Sequence, residues 1–332
     1  MRHYLLPENN KQFKANLHCH TTISDGTKTP EEMKAIYKER GYNILAITDH
    51  GKLVDHSALN DEDFLMITAV EYWVGGGDKK LANTNIDRAM EFNLFAKDQH
   101  NDSLEPFKAM PRTYSGEYMQ FVIDTANKNG FLVCLNHPGC SYLNIEFIRH
   151  FDGIFAMEVY NRDAILCGVI EGGMPLYTEA IRSGKPWCCI ASDDAHGIPG
   201  TAYPAQGFVM ISAEELKYDK IMASLEAGDF YASSGPVIEE LYIEDGVIHL
   251  KCSPVKFIGV ATNGRPIGGA KKVNQPDEYL TEVDIKIREG TEFVRFDLED
   301  EHGNWAHTRA YYVDGRHEPA CTNLYDENYL VF

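Results

Sequence analysis

The sequence predicts an α/β protein, a β/α barrel followed by a small antiparallel β-sandwich, and two changes of pattern carry that prediction. Up to about residue 235 one unit recurs: an amphipathic segment, a Gly able to stop a helix, a short apolar strand, then polar residues. After Pro236 apolar and polar residues alternate around Asp-Gly, Asn-Gly and His-Gly turns, the pattern of antiparallel strands. The length agrees, since 332 residues make roughly two domains at about 150 each.

The first helix starts at Thr29-Pro30-Glu31-Glu32, with a Thr cap, Pro at the first helical position and Glu three residues after the cap. Gly41 ends it in a left-handed conformation, and NILAITDH (43–50) follows as a buried strand. Glu117 to Asn129 with Gly130 before FLVCLNH (131–137), and Tyr177 to Ser183 with Gly184 before KPWCCIASDDAH (185–196), repeat the unit. FLMITAVE (64–71) and GIFAMEV (153–159) add two strands, and a last helix is expected from Ser212, with Glu215 three residues on, to Gly228. A parallel sheet closed as a barrel accounts for this series most economically. LYIE-DG-VIHL (241–250), VATNGRPIGG (260–269), YLTEVDIKI (279–287) and 293–313 supply the sandwich. The expected domains are therefore 1–235 and 236–332.

Composition narrows the function. The balance of 31 basic and 50 acidic residues is −19, with no run of Lys or Arg, so a stripe gripping long duplex nucleic acid is not expected. The start, MRHYLLPENN, lacks the apolar run of about 7–15 residues of an export signal, and no apolar stretch approaches about 18. The chain is expected to be soluble and cytoplasmic, with no membrane partner. Eight cysteines without CxxC spacing read as reduced thiols, and Cys188 and Cys189 as small buried hydrophobes.

Chemistry concentrates at the carboxyl ends of the predicted strands. His18 and His20 end the first, His50 the second, Glu71 the third and His137 the fourth; Glu158 comes near the end of another, and Asp194 and His196 follow the last. In a β/α barrel these ends converge on one face. Residues two apart on a strand point the same way, so His18 and His20 can reach one ion while Cys19 faces away. Imidazole nitrogens with carboxylate oxygens suit Zn, Mn or Fe, and so many ligands imply more than one ion. Glu158 reads as orienting a ligand histidine rather than binding metal. The remaining histidines, His307 among them, read as surface or satisfied residues. Arg162, on the rim after Glu158, is either a guanidinium fork for the oxygens of an anionic substrate or a surface Arg opposite Asp163, and Lys52 is a second candidate or an exposed loop Lys.

NLHCHTTISDG (16–26), AITDHG (46–51), AVEYW (69–73), LNHPG (135–139) and SDDAH (192–196) resemble the successive motifs of the PHP (polymerase and histidinol phosphatase) family, most closely its stand-alone metal-dependent phosphoesterases. The resemblance spans 14 to about 235 and implies a distorted (β/α)7 barrel. It implies that His18, His20, Glu71 and Asp194 hold one ion, that Asp25, His50 and His196 hold a second, that Glu71 bridges, and that His137 helps hold a third. The family spacing Asp-x-His selects Asp194, leaving Asp193 a supporting or structural residue. Many relatives place a His before Phe-Asn after the bridging Glu, where this chain has Glu91; it is either an oxygen ligand of the third ion or an ordinary helix residue. The sandwich resembles C-terminal extensions of some PHP proteins.

The resulting expectation is a phosphoesterase acting on a small phosphate ester, a phosphomonoester or nucleotide end, by a metal-bound hydroxide with two or three divalent ions. His196 is also a candidate proton donor to the leaving oxygen, a role with which ligation competes. Two other readings stand beside it: a metal-dependent amide or lactone hydrolase, and a binding protein acting through the sandwich.

Overall fold

The computed structural model describes residues 2–8, 10–75, 89–166, 168, 173–197, 204–263 and 271–312. Strands β1 (His3–Tyr4) and β2 (Lys11–Asn16) precede helix α1 (Pro30–Glu39), then β3 (Ile44–Ile47), β4 (Leu65–Gly75) and β5 (Ala89–Ala96). Helix α2 (Gly116–Lys128), β6 (Phe131–Leu135), α3 (Ile145–Ile148), β7 (Ala156–Asn161), α4 (Arg162–Leu166), α5 (Met174–Arg182) and β8 (Cys188–Ser192) follow. Then come β9 (Phe208–Ala213), α6 (Tyr218–Ala227) and β10 (Phe230–Ser233).

Helix α1 begins as its sequence requires. The Thr29 hydroxyl accepts from the Glu32 N–H, the Glu32 carboxylate accepts from the Thr29 N–H at 2.9 Å, and Gly41 lies at φ 77 beyond the end. Met33 and Tyr37, four apart, bury one stripe against Leu45 and Ile47 of β3. Gly130 and Gly184 are likewise left-handed beyond α2 and α5.

The expectation of a closed parallel barrel is corrected. β2, β3 and β4 are parallel, as are β6, β7 and β8, but β5 pairs antiparallel with both β4 and β6, and β9 antiparallel with β2. The result is a large mixed α/β sheet whose hydrogen-bonded path ends at β8 rather than closing. β5 is a strand because Met90, Phe92, Leu94 and Phe95 are buried between two neighbours, so Glu91 is not a helix residue. Beyond β2 and β8 the strand ends meet through a parallel bridge of Cys19 with Ala195 and through bonds from the Asp194 N–H to the His18 carbonyl and from the His20 N–H to the Ala195 carbonyl, both 3.0 Å. The sheet still curls: one core cluster takes side chains from β2 to β10, including Ala15, Ile67, Phe95, Cys134, Ile190 and Phe230.

The helix expected from Ser212 begins at Tyr218 instead, and it ends at Gly228 as expected, φ 73. Ser212 is in β9, opposite Gln12, and its N–H is bonded to the Asp229 carbonyl, so strand pairing overrides the local cap signal.

The later part holds β11 (Ile238–Glu244), β12 (Val247–Val255), β13 (Phe257–Thr262), β14 (Lys271–Lys272), β15 (Leu280–Lys286), β16 (Phe293–Glu299), β17 (Trp305–Thr308) and β18 (Tyr311–Tyr312). Asp245 and Gly246 join β11 to β12 with both φ positive, 51 and 74, which is why Asp-Gly marks this hairpin. The expected Asn-Gly turn at 263–264 extends outside the described residues. Two antiparallel sheets, β1-β11-β12-β15 and β14-β13-β16-β17, share a core that includes Leu241, Ile248, Leu250, Ile258, Phe296 and Leu298. The second sheet continues into the first part, because β17 pairs with β10. No described helix is long and apolar enough to cross a membrane.

Candidate metal centre

Alternation beyond β2 buries both His18 and His20 and turns Cys19 the other way, into the cluster of Met33 and Tyr37. The carboxylate of Glu71, on β4, lies 3.3 Å from His18 Nε2, 3.2 Å from His20 Nε2, 3.1 Å from His50 Nδ1 and 3.2 Å from His137 Nε2. Asp194 adds an oxygen 3.2 and 3.0 Å from the Nε2 atoms of His18 and His20. Asp194 is a non-glycine residue at φ 54, a conformation that costs about 1 kcal/mol or more and recurs at functional sites. Asp25 stands 3.5 Å from His50 Nε2 and 3.7 Å from His196 Nε2. Its loop turns tightly at Gly26, where a Cβ would sit 2.6 Å from the His20 carbonyl oxygen. Glu91, directly opposite Trp73 across the β4–β5 ladder, reaches to 3.5 Å from His137 Nε2 and 4.0 Å from His50 Nδ1.

Three groups of these atoms are close enough to hold cations: His18, His20, Glu71 and Asp194; His20, Asp25, His50 and His196; and His50, Glu71 and Glu91. The donors fit such ions. His18 Nε2 and His20 Nε2 face each other at 3.2 Å, while buried Asp194 Oδ1 and His20 Nδ1 lack a hydrogen-bond partner among the described residues. A buried polar atom without a partner is costly, and a cation among these lone pairs removes the cost.

Electrostatics shows the same demand. Burial opposes charge on the rings, yet Asp194 and Glu71 hold His18 well above the usual imidazole range and raise His20 to about 9; Glu71 lifts His137 to about 10. Glu71 and Asp194 stay below the carboxylate range despite burial, held down by the surrounding imidazoles. Burial and then Glu71 push Glu91 up to about 7. His50 is lowered by burial, with His20 and His18 adding repulsion. Without cations, protons take up the positive charge these carboxylates require.

Supporting residues fix the donors. Glu158 accepts from His18 Nδ1 at 2.7 Å, the Ser192 hydroxyl at 2.5 Å, the His137 N–H at 2.8 Å and the Asn161 amide at 3.0 Å, so it orients His18 as expected. Asn161 also donates to Asp194, and Asn136 to Glu71 at 2.7 Å and to Asn93 at 2.9 Å. Asp49 accepts from the Thr21 N–H and hydroxyl and from Ser24, ordering the loop of Asp25. Asn93, Asn136, Asn161 and Asp49 were not singled out from sequence; for three of them the signal was adjacency to a motif residue, in TDH, NHP and EFN. Asp193 turns away to the Tyr37 hydroxyl and the N–H groups of residues 205–207, which makes it structural. Arg162 is half-buried at the start of α4, beside the Tyr160 hydroxyl, and is in none of the three groups. Lys52 is exposed beyond the His50 turn and is likewise in none of them.

Groups that could hold cations at the strand ends of a mixed sheet mark an α/β protein with a candidate metal centre. Comparison carries the assignment further: a PHP domain model matches residues 16–187, just over half of the chain, and the chain belongs to that family. Asp194 and His196 lie beyond the matched span and are joined to it by geometry. Similar solved structures include a two-domain protein of Bacteroides vulgatus, described as containing a predicted PHP-like metal-dependent phosphoesterase, at 14% identity and TM-score 0.48, covering 93% of this chain and 98% of that one. A Bifidobacterium adolescentis protein, provisionally described as a metal-dependent phosphoesterase, shares 16% identity at TM-score 0.36, covering 60% and 92%. A Chromobacterium violaceum amidohydrolase with bound sulfate and no metal shares 14% at TM-score 0.43, covering 65% and 96%. A search of curated proteins finds no match.

Proposed function

We propose that the chain is a metal-dependent hydrolase of small phosphate esters, a phosphomonoester or nucleotide end. The observation that supports this best is one buried carboxylate, Glu71, within 3.3 Å of four imidazoles, two of which also meet Asp194. When bound, two or three divalent ions there would neutralise phosphoryl oxygens and bring the pKa of water toward about 7. Zn, Mn and Fe suit the mixed nitrogen and oxygen donors.

The chain's own residues prepare that chemistry. His18 keeps its Nδ1 proton in the bond to Glu158, so Nε2 is the nitrogen that turns its lone pair to the site once a cation displaces the second proton. His196 donates from Nδ1 to the Asp194 carbonyl at 2.9 Å, which leaves its Nε2 a lone-pair donor toward Asp25. That tautomer favours the ligand role of His196 over proton donation. The third position is assigned to Glu71 and Glu91, with His50 completing the group of close donors and His137, in none of the three groups, 3.5 Å from Glu91; its oxygen-rich donors favour harder ions such as Mn or Mg. Arg162, at the rim just after Asn161, is assigned to the non-bridging phosphate oxygens.

A panel of phosphomonoesters beside carboxylic esters, lactones and amides tests the reading, each measured with and without chelator. Phosphomonoester turnover that chelator removes and Mn or Zn restores is expected. Turnover confined to lactones or amides would replace the phosphoesterase by the rival hydrolase.

A further inference from the structure

A separate groove of about 450 Å³ runs between helix α5 and strands β16 and β17. Met174, Pro175 and Thr178 form one wall. The other comes from the strands: Arg295 and Asp297 are two apart on β16, Trp305 and His307 two apart on β17, and Asp297 pairs directly with His307. Pairing and alternation therefore put all four on one face.

These side chains form a connected polar arrangement. Arg295, only 5% exposed, donates from Nη1 to the Thr178 hydroxyl at 2.9 Å and from Nη2 to Asp297 at 2.8 Å, while its buried Nε has no partner among the described residues. His307 donates from Nδ1 to the other Asp297 oxygen at 2.7 Å, which leaves Nε2 as an acceptor. The Trp305 indole lies parallel to the His307 ring, 7° apart with centroids at 5.8 Å, and meets the Phe257 ring at 64°, centroids 5.9 Å apart.

Charge and shape narrow the ligand. Burial works against the Asp297 carboxylate, but His307 and Arg295 hold it down to about 2, so one negative and one positive charge already compensate each other. A bare anion would face Asp297 and a bare cation would face Arg295. A neutral molecule with both donors and acceptors, and one apolar face for an aromatic ring, suits the groove best. We propose that this groove binds a neutral sugar ring, stacked on Trp305, with its hydroxyls completing the Arg295–Asp297–His307 network. The site shares no residue with the metal centre, so its occupancy is independent of the activity proposed there.

Calorimetric and ligand-observed NMR titrations of the full chain test this, using glucose, galactose, mannose, xylose and N-acetylglucosamine, with benzoate and inorganic phosphate as charged rivals. At least one sugar is expected to bind, with affinity weakened about tenfold or more in Trp305→Ala. Trp305→Phe should retain part of the binding, separating stacking from folding, and Asp297→Asn should weaken it without loss of the aromatic platform. The proposal is overturned if no sugar binds, if the bound sugar ignores Trp305→Ala and Asp297→Asn, or if only benzoate or phosphate binds.

Discussion

Glu71 meets His18, His20, His50 and His137 at 3.1–3.3 Å, so changing its charge touches every cation position proposed around it. Glu71→Gln should abolish chelator-sensitive turnover, whereas Arg162→Ala should lower it by about tenfold to a hundredfold, since one phosphate contact is lost and the ligands remain. Steady-state rates for the two variants check the order. Glu158 acts through His18, and Glu158→Gln should weaken metal binding by about 10–100-fold, read by metal titration of the chelated protein. The raised imidazoles also set a pH dependence: His20, raised to about 9, and His137, to about 10, are protonated near pH 7 in the metal-free protein. A cation must displace those protons, so loading should release more of them near pH 7 than near pH 10, and affinity should rise with pH. The same shifts stabilise the metal-free fold below about pH 6.5 and are lost as pH rises through about 9–10. His18, His20, His50, Glu71, His137, Asp194 and His196 were legible because each stands at or just beyond the end of an apolar strand, where the fold class places a site, whereas Asp25 and Glu91 came only from the resemblance to PHP motifs. Asn136 and Asn161 were not, because a buried amide is recognised only by the partners folding brings to it.

Among the elements, α1 was readable from local chemistry alone, since its cap, first-turn Pro and terminal Gly act within one turn of the chain. Thr29→Ala removes the side-chain acceptor of the Glu32 N–H and should cost about 1 kcal/mol, measured by denaturant unfolding. The effect should extend toward the site, because α1 carries the Tyr37 hydroxyl to Asp193, next to Asp194. β5 was not readable as a strand. Its antiparallel pairing with β4 and β6 is set by neighbours far along the chain, and that pairing places Glu91 on the site face opposite Trp73. Glu91→His replaces an oxygen by an imidazole and should shift the third position's preference from Mn toward Zn, checked by metal competition.

For the molecule as a whole, we propose two units, 1–235 and 236–332, because the pattern changes at Pro236. They are joined more intimately than a linker suggests: β17 pairs with β10, β1 with β11, and Leu5, Leu6 and Tyr231 lie in the sandwich core. A chain cut after 235 would expose these apolar residues and the β10 edge, so it should be poorly soluble compared with the full chain, as sedimentation of the expressed protein would show. If Glu71 organises a cluster of divalent ions, anomalous diffraction from metal-loaded crystals will locate them. Two or three peaks are expected at the absorption edge of the loaded metal, one among His18, His20, Glu71 and Asp194, another beside Asp25, His50 and His196, with Glu71 ligating more than one. An absence of any peak within ligand distance of Glu71 in metal-loaded, active protein would contradict this role of Glu71.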